Sequence, residues 1–351
     1  MKISPGTVSL SFRSDNVAPV APEILRAMEA INRGLAPSYG DDGCSALLNA
    51  EFSKLFETDV AVFPVSTGTA ANALSLATCA RPYGAIYCHE DAHIHTAEGG
   101  ATEAFSGGAK LIPLAGANGK LDPQALAAAL QRAERGVRNR PQPDAVSITQ
   151  ASEYGTVYTR DEIAAIGASA RAAGIRFHMD GARFANALVT LGCRPADITW
   201  RCGVDILSFG ATKNGGMSAE AIVVFDRELA EPLSYRLRRA GQTWSKMRFA
   251  AVQLIAYVDK DLFLRLAARA NDLASRLGRE LAMLPGVRLV APVEANLVFV
   301  AMPESAIEAL AAAGVRFARR RGGVIRLVTR YDGEQAEVDQ LVALTAFCMG
   351  A

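Results

Sequence analysis

DILSFGATKNGG, residues 205–216, sets one lysine, Lys213, directly behind a short β-rich run and among small residues. A surface lysine ordinarily lies along a polar helix face, its long stem covering neighbours and its head in water. Small neighbours imply instead that some other group comes close. A second run, IRFHMD (175–180), ends in Asp180 and continues through Gly181 and Ala182 to Arg183. Ligands of open α/β sheets bind beyond the carboxyl ends of the strands, so Asp180 and Lys213 can face one pocket.

Outward from these two ends, the pattern is that of an α/β fold. VAVFPV, AIYCH, KLIPLA, AVSIT and EAIVVF read as further strands, and alanine- and leucine-rich segments of helical period lie between them. Asp122 and Pro123 mark one helix start, Thr159 another, and Gly174 a helix end. After about Phe225 the chain turns to long basic, alanine-rich helices, followed by the short runs VRLVAP, NLVFVAM and VIRLVT. The expected division is a large domain over 1–245, with an N-terminal arm, and a smaller α+β domain over 246–351.

Half of the 351 residues are hydrophobic, enough for a large core, and 37 Lys plus Arg against 36 Asp plus Glu leave a formal charge of +1. That balance gives no reason to expect nucleic acid or an anionic membrane as partner. Six scattered cysteines without a CxxC pair argue for a reducing cytoplasm over a disulfide scaffold or zinc ribbon. The N-terminal MKISPGTVSLSFRSDN lacks the apolar core of a leader. Residues 60–80 carry no charge, yet Pro64, Ser66, Thr67, Gly68, Thr69 and Asn72 interrupt them, and a membrane span needs roughly 20 predominantly apolar residues. They read as strand, loop and helix.

An acid and a lysine at two strand ends that can face one pocket suggest one chemistry. Lysine can carry an aldehyde cofactor as a Schiff base, and a carboxylate can pair with the protonated pyridine nitrogen of pyridoxal phosphate (PLP). Taken singly, Asp180 can equally cap the next helix and Lys213 can be a solvated loop charge. STGTAAN (66–72) supplies a place for a phosphate, with Gly68 allowing close approach, hydroxyls on Ser66 and Thr69, and a helix start aiming free N–H groups at the anion. An ordinary Ser/Thr cap is the plainer reading of it. YCHEDAHIHTAEGGA gathers three of the four histidines. Its HEDAH matches the HExxH zinc pattern in letters, but the segment reads as a loop leaving a strand, so no metal is expected.

Seven motifs in this order, FRSDN (12–16), PSYGDDG (37–43), STGTAAN (66–72), DAHIHTAEGGA (91–101), HMDGARFANA (178–187), FGATKNGG (209–216) and VIRLVTRYD (324–332), resemble the L-threonine aldolases, PLP enzymes grouped with the β-eliminating lyases. The resemblance runs over nearly the whole chain. It implies the aspartate-aminotransferase-like fold type I, with a mainly parallel large sheet. It also implies that Lys213 carries PLP, that Asp180 pairs with the pyridine nitrogen, and that Gly68, Thr69 and Ser66 hold the phosphate. Arg183 would reach the ring's phenolic oxygen or the substrate carboxylate, and His93 would stack on the ring near the β-hydroxyl. Ser14 and Arg326 would bind the α-carboxylate, for which guanidinium offers a two-pronged fork. Tyr39 would reach a neighbouring subunit's site, and Arg248 would contact phosphate across the interface.

The chain departs from the family after AVSIT. Where many members carry a histidine in a pattern like ENTHN, this chain reads TQASEYG and offers Glu153. With TKNGG in place of a shorter SKG, it resembles a branch of broad activity on β-hydroxy amino acids. The implied reaction is retro-aldol cleavage of L-threonine, L-allo-threonine or phenylserine to glycine and an aldehyde, with His93 as base and Glu153 as the second candidate. β-Elimination or transamination would use the same lysine, aspartate and phosphate cup. A binding module without PLP is a rival of another class. The resemblance further implies a cytoplasmic homo-oligomer, a dimer with shared sites paired into a tetramer.

Overall fold

A computed structural model of the chain describes residues 10–350. Residues 1–9, which include most of the stretch read above as too polar for a leader, lie outside them. The strands Ala61–Val65, Glu220–Val224, Ile206–Phe209, Arg176–Gly181, Gln142–Thr149, Gly84–His89 and Lys110–Leu114 lie side by side in that order. All run parallel except Glu220–Val224, which is antiparallel to both neighbours. The central strands are buried on both faces, which is why they read as continuous apolar runs and not as an alternation.

Helix boundaries follow local chemistry. Asp122 accepts from the Gln124 amide at 2.7 Å and Pro123 opens the helix Pro123–Arg132. Thr159 and Glu162 form a capping box on Arg160–Ala173, and Gly174, at φ 61°, ends it in the left-handed region. An aromatic cluster of Phe52, Phe56, Phe184, Phe209, Tyr257 and Phe263 fills one face of the sheet. Each such ring contributes about 1.5–3 kcal/mol by leaving water.

A second, antiparallel sheet has the order Ala318–Arg320, Val324–Val328, Leu297–Ala301, Arg288–Leu289. Its inner face carries Val298, Val300, Ile325 and Leu327 into a separate core, shared with Leu273, Leu277 and Leu281 of the long helix Leu262–Ala282. The helix Arg248–Val258 sends Ala250, Ala251, Leu254 and Tyr257 into the core of the large sheet. The N-terminal arm crosses between the two. Leu10–Ser11 pairs with Val315–Arg316, and Phe12 bonds the backbones of Arg316 and Val328, which delivers Asp15 to the edge of the large sheet. Among the described residues no helix is long and apolar enough to cross a membrane.

Candidate active site

Strand register gathers the chemistry at one edge of the large sheet. Thr149 stands beside Asp180 and Asp180 beside Ser208. Because its strand runs the other way, Glu220 begins at the same edge, opposite Val65. The carboxyl ends open on a cavity of about 350 Å³. Lys213, Asp180, His93, Glu153, Arg183, Ser66, Gly68 and Thr69 all line it. Four expected site residues do not. Ser14 accepts the Asn16 amide at 3.2 Å while Asn16 itself faces the cavity. Tyr39 lies under the Arg238 guanidinium, 4.9 Å from its ring centre, in a different depression. Arg248 rests on Phe249. Arg326 lines an adjoining cavity that shares His93 and Glu153 with this one.

Lys213 sits in a single 3-10 turn, Thr212–Asn214, pinned from both sides. Asn214 donates to the Tyr257 hydroxyl at 2.7 Å and to the Phe263 carbonyl at 2.9 Å. The buried Glu220 accepts the Ala211 amide at 2.6 Å and the Thr212 amide at 3.4 Å. At Gly210, one of the small residues near Lys213, a group that comes close belongs to the protein itself. A Cβ on Gly210 would meet the Ala182 carbonyl oxygen at 2.6 Å, so the backbone of the Asp180 strand end is what requires glycine there.

A chain of hydrogen bonds joins Asp180 to His93. Asn72 donates from Nδ2 to Asp180 Oδ2 at 2.9 Å and to Glu98 Oε1 at 2.9 Å, and the same Glu98 oxygen lies 2.8 Å from His93 Nδ1. Asp180 takes a further amide, from Ala182, at 2.9 Å. The hydrogen bond to Glu98 raises His93, outweighing its partial burial. Burial raises Glu98, against the bonds from His93 and Asn72. Both members of the pair therefore favour holding a proton between them. Behind Asp180, burial pushes His178 down to about 4, and this neutral ring bridges Ser147 Oγ at 2.8 Å and Ser208 Oγ at 3.0 Å.

Arg183 is held from the N-terminal arm. Its Nε donates to Asp15 Oδ2 at 2.8 Å and its Nη2 to Asp15 Oδ1 at 3.0 Å, while Asn296 adds a bond to Asp15 at 3.0 Å. Burial resists charge on Asp15, but Arg183, Lys213 and these hydrogen bonds prevail and hold the carboxyl below its ordinary range.

The far end of the cavity is the start of the helix Gly68–Cys79. Thr67 caps it by accepting the Ala70 amide at 3.1 Å, and the Ala71 amide reaches the Thr67 carbonyl. The Gly68 and Thr69 amides are left facing the cavity, the arrangement that attracts an anion. Ser66 is tied by its amide and hydroxyl to Gln242 Oε1, both at 3.0 Å. A Cβ on Gly68 would meet nothing within 4 Å and would project into this space. Asn72 Oδ1, Glu98 Oε2 and Thr212 Oγ1, all on cavity-lining residues, are buried without a partner. An aromatic aldehyde phosphate fits this donor set, with a helix start at one end, a lysine amine along the side and a carboxylate at the other end. HEDAH takes no zinc-helix form. His89 ends a strand with its two ring nitrogens on the Gly116 carbonyl and the Asp91 amide, while His93 opens a four-residue helix.

Asn72, Glu98, Asp15 and Glu220 were not anticipated in these roles. Asn72 and Glu220 carried the one available signal, a polar side chain inside an otherwise apolar helix or strand.

Residues 11–305 match the family model described as beta-eliminating lyase. The chain is 45% identical to a low specificity L-threonine aldolase of Pseudomonas sp. (strain NCIMB 10558), over 95% of this chain and 96% of the other. It is 45% identical to the protein of the same name from Pseudomonas aeruginosa, over 97% and 98%. Among solved structures, the threonine aldolase of Leishmania major superposes with a TM-score of 0.90 at 28% identity, covering 97% of this chain and 99% of that one.

Proposed function

The chain belongs to the beta-eliminating lyase family, alongside its L-threonine aldolases, and from that premise we propose that its cavity cleaves L-threonine to glycine and acetaldehyde with PLP as cofactor. L-allo-Threonine and phenylserine fall within the same reading. The observation that carries it is that Lys213, Asp180 and His93 face one cavity from three different segments. β-Elimination and transamination do not call for a base near the β-hydroxyl, which is the place the reading gives His93.

Lys213 would hold the cofactor through its amine, Asp180 its ring nitrogen, and Gly68, Thr69 and Ser66 its phosphate. When bound, PLP supplies an electron sink for the pair released from the Cα–Cβ bond. The protein's own groups do the rest. Arg326, from the adjoining cavity, would bind the α-carboxylate with Arg183 and, if the arm shifts Ser14 toward it, with that hydroxyl, and so turn the Cα–Cβ bond to the angle at which it breaks. His93 takes the β-hydroxyl proton as the aldehyde carbonyl forms, and Glu98 steadies the imidazolium. Asn72 keeps Glu98 and Asp180 in register. Glycine is completed when a proton returns to Cα. Glu153, which lines both cavities, is the second candidate for the base.

Tyr39 and Arg248 stand away from their own chain's cavity, which supports a homodimer with shared sites, paired into a tetramer. Free thiols at all six cysteines support a cytoplasmic setting. The separate core beneath the antiparallel sheet supports a smaller domain over 246–351, with its first helix docked on the large sheet.

The test is release of glycine and acetaldehyde from L-threonine by the PLP-loaded protein, with Lys213→Ala as control. Equal amounts of both, lost in the variant, support the reading. A wild type that binds PLP yet releases neither refutes it.

A further inference from the structure

The adjoining cavity has a volume of about 580 Å³, and its wall follows from strand register. In the small sheet Arg320 stands opposite Val324, Ala318 opposite Arg326, and Arg326 opposite Phe299. Side chains alternate between the faces of a strand, so Arg320, Val324, Arg326 and Phe299 project from one face while Ile325, Leu327 and Val298 turn to the core. Tyr154 continues this wall, its ring centre 5.2 Å from that of Phe299, and Arg321 extends over the space from the hairpin turn. The result is an aromatic floor with guanidinium groups along its rim.

The charges on this wall are unbalanced. Arg319, on the opposite face, pairs with Glu304, whereas among the described residues Arg320 and Arg321 have no carboxylate within ion-pair distance. Arg326 keeps its Nε buried without a partner. Burial, and then repulsion from Arg183 and Arg320, lowers its guanidinium. Asp91 and Glu153 also line the cavity, but Asp91 lies against Tyr154, whose phenol burial and that carboxylate both raise. Arg320 and Arg321 thus stand beyond ion-pair reach of both carboxylates, and unpaired cations on a cavity wall mark a place where the ligand can supply the negative charge. One substrate carboxylate accounts for Arg326 and leaves two guanidinium groups over.

We infer that this cavity receives the β-substituent of the substrate, and that Arg320 and Arg321 make it favour an aromatic substituent ending in a carboxylate. The inference rests on the aldolase reading and deepens it from a neutral β-substituent to an anionic aryl one.

The experiment compares kcat/KM for threonine, phenylserine and para-carboxyphenylserine in the PLP-loaded wild type and in an Arg320→Ala/Arg321→Ala variant. Calorimetric titration of both proteins with terephthalate and with benzoate adds a readout independent of turnover. The wild type should prefer the carboxylated substrate over phenylserine by about tenfold, the scale of a charge-assisted contact in a partly exposed setting, and added salt should narrow the gap. The variant should lose the preference, bind terephthalate no better than benzoate, and cleave threonine as before. Threonine cleavage without any preference for the carboxylated substrate overturns the inference and leaves the aldolase reading intact. If no substrate is cleaved, the aldolase reading falls, and equal terephthalate binding by both proteins overturns the anion site separately.

Discussion

His93 Nδ1 lies 2.8 Å from Oε1 of Glu98, a carboxylate whose side chain is fully buried. A base that takes the β-hydroxyl proton must be neutral beforehand, and Glu98 raises the pH at which His93 becomes so. Glu98→Gln removes that stabilisation of the imidazolium while keeping an oxygen for Asn72. The acid limb of the kcat profile should therefore move to lower pH, and the plateau should fall by about tenfold or more as His93 loses its orientation. A profile measured across the acid range that does not move would separate Glu98 from the base. His93→Ala should cost about 10²–10⁴ in turnover with PLP still bound.

His178 gives a prediction about stability. Its ordinary value is 6.5 and burial pushes it down to about 4, so the folded protein refuses a proton that the unfolded chain accepts. Its contribution to stability is complete above about pH 6.5 and is lost as pH falls toward 4, amounting to about 3 kcal/mol over that window. Chemical unfolding of His178→Gln should show that much less loss between the two pH values than wild type does. Parallel curves would mean that the ring takes up its proton without unfolding the protein.

The large sheet was legible because seven apolar runs ended in turn residues, and a strand buried on both faces must be written in Val, Ile, Phe and Ala. Asp180 and Lys213 were legible together because strand ends share an edge. Contacts closed over long separations were not. Nothing local in FRSDN connects Asp15 to Arg183, since the arm reaches the site through pairing with Val315–Arg316 and Val328, far along the chain. Asn72 looked like one more helical residue, although a polar side chain buried within GTAANALSLA needed partners. The glycines around Lys213 signalled close approach without naming the approaching group. Close approach was the right physics, but at Gly210 the approaching group is the Ala182 backbone.

Asp15 and Arg183 form a two-pronged ion pair, both side chains less than a tenth exposed. Removing one partner of a buried pair strands the other, at a cost of about 3–5 kcal/mol. Asp15→Asn should lower the unfolding free energy by roughly that amount, and Arg183→Lys, which keeps the charge but loses the fork, by a large part of it. Denaturant melts that place both variants within about 1 kcal/mol of wild type would show that the arm is not held through this contact.

Gly68 separates the needs of the fold from those of the phosphate end. It is the first residue of its helix, its backbone is not left-handed, and a Cβ there touches no protein atom within 4 Å. Alanine is about 1 kcal/mol better than glycine inside a helix and no worse at its start, so Gly68→Ala should melt at or above the wild-type temperature. The added methyl nevertheless projects into the space faced by the Gly68 and Thr69 amides. A phosphate seated there would be pushed off its donors, and one charge-assisted contact is worth about 1.5–3 kcal/mol. PLP followed by its visible absorbance should therefore bind about tenfold or more weakly to Gly68→Ala, and weaker still to Gly68→Val. Pyridoxal, which lacks the phosphate, should bind wild type and variants alike. If PLP binds Gly68→Val as tightly as wild type, the phosphate does not sit at this helix start.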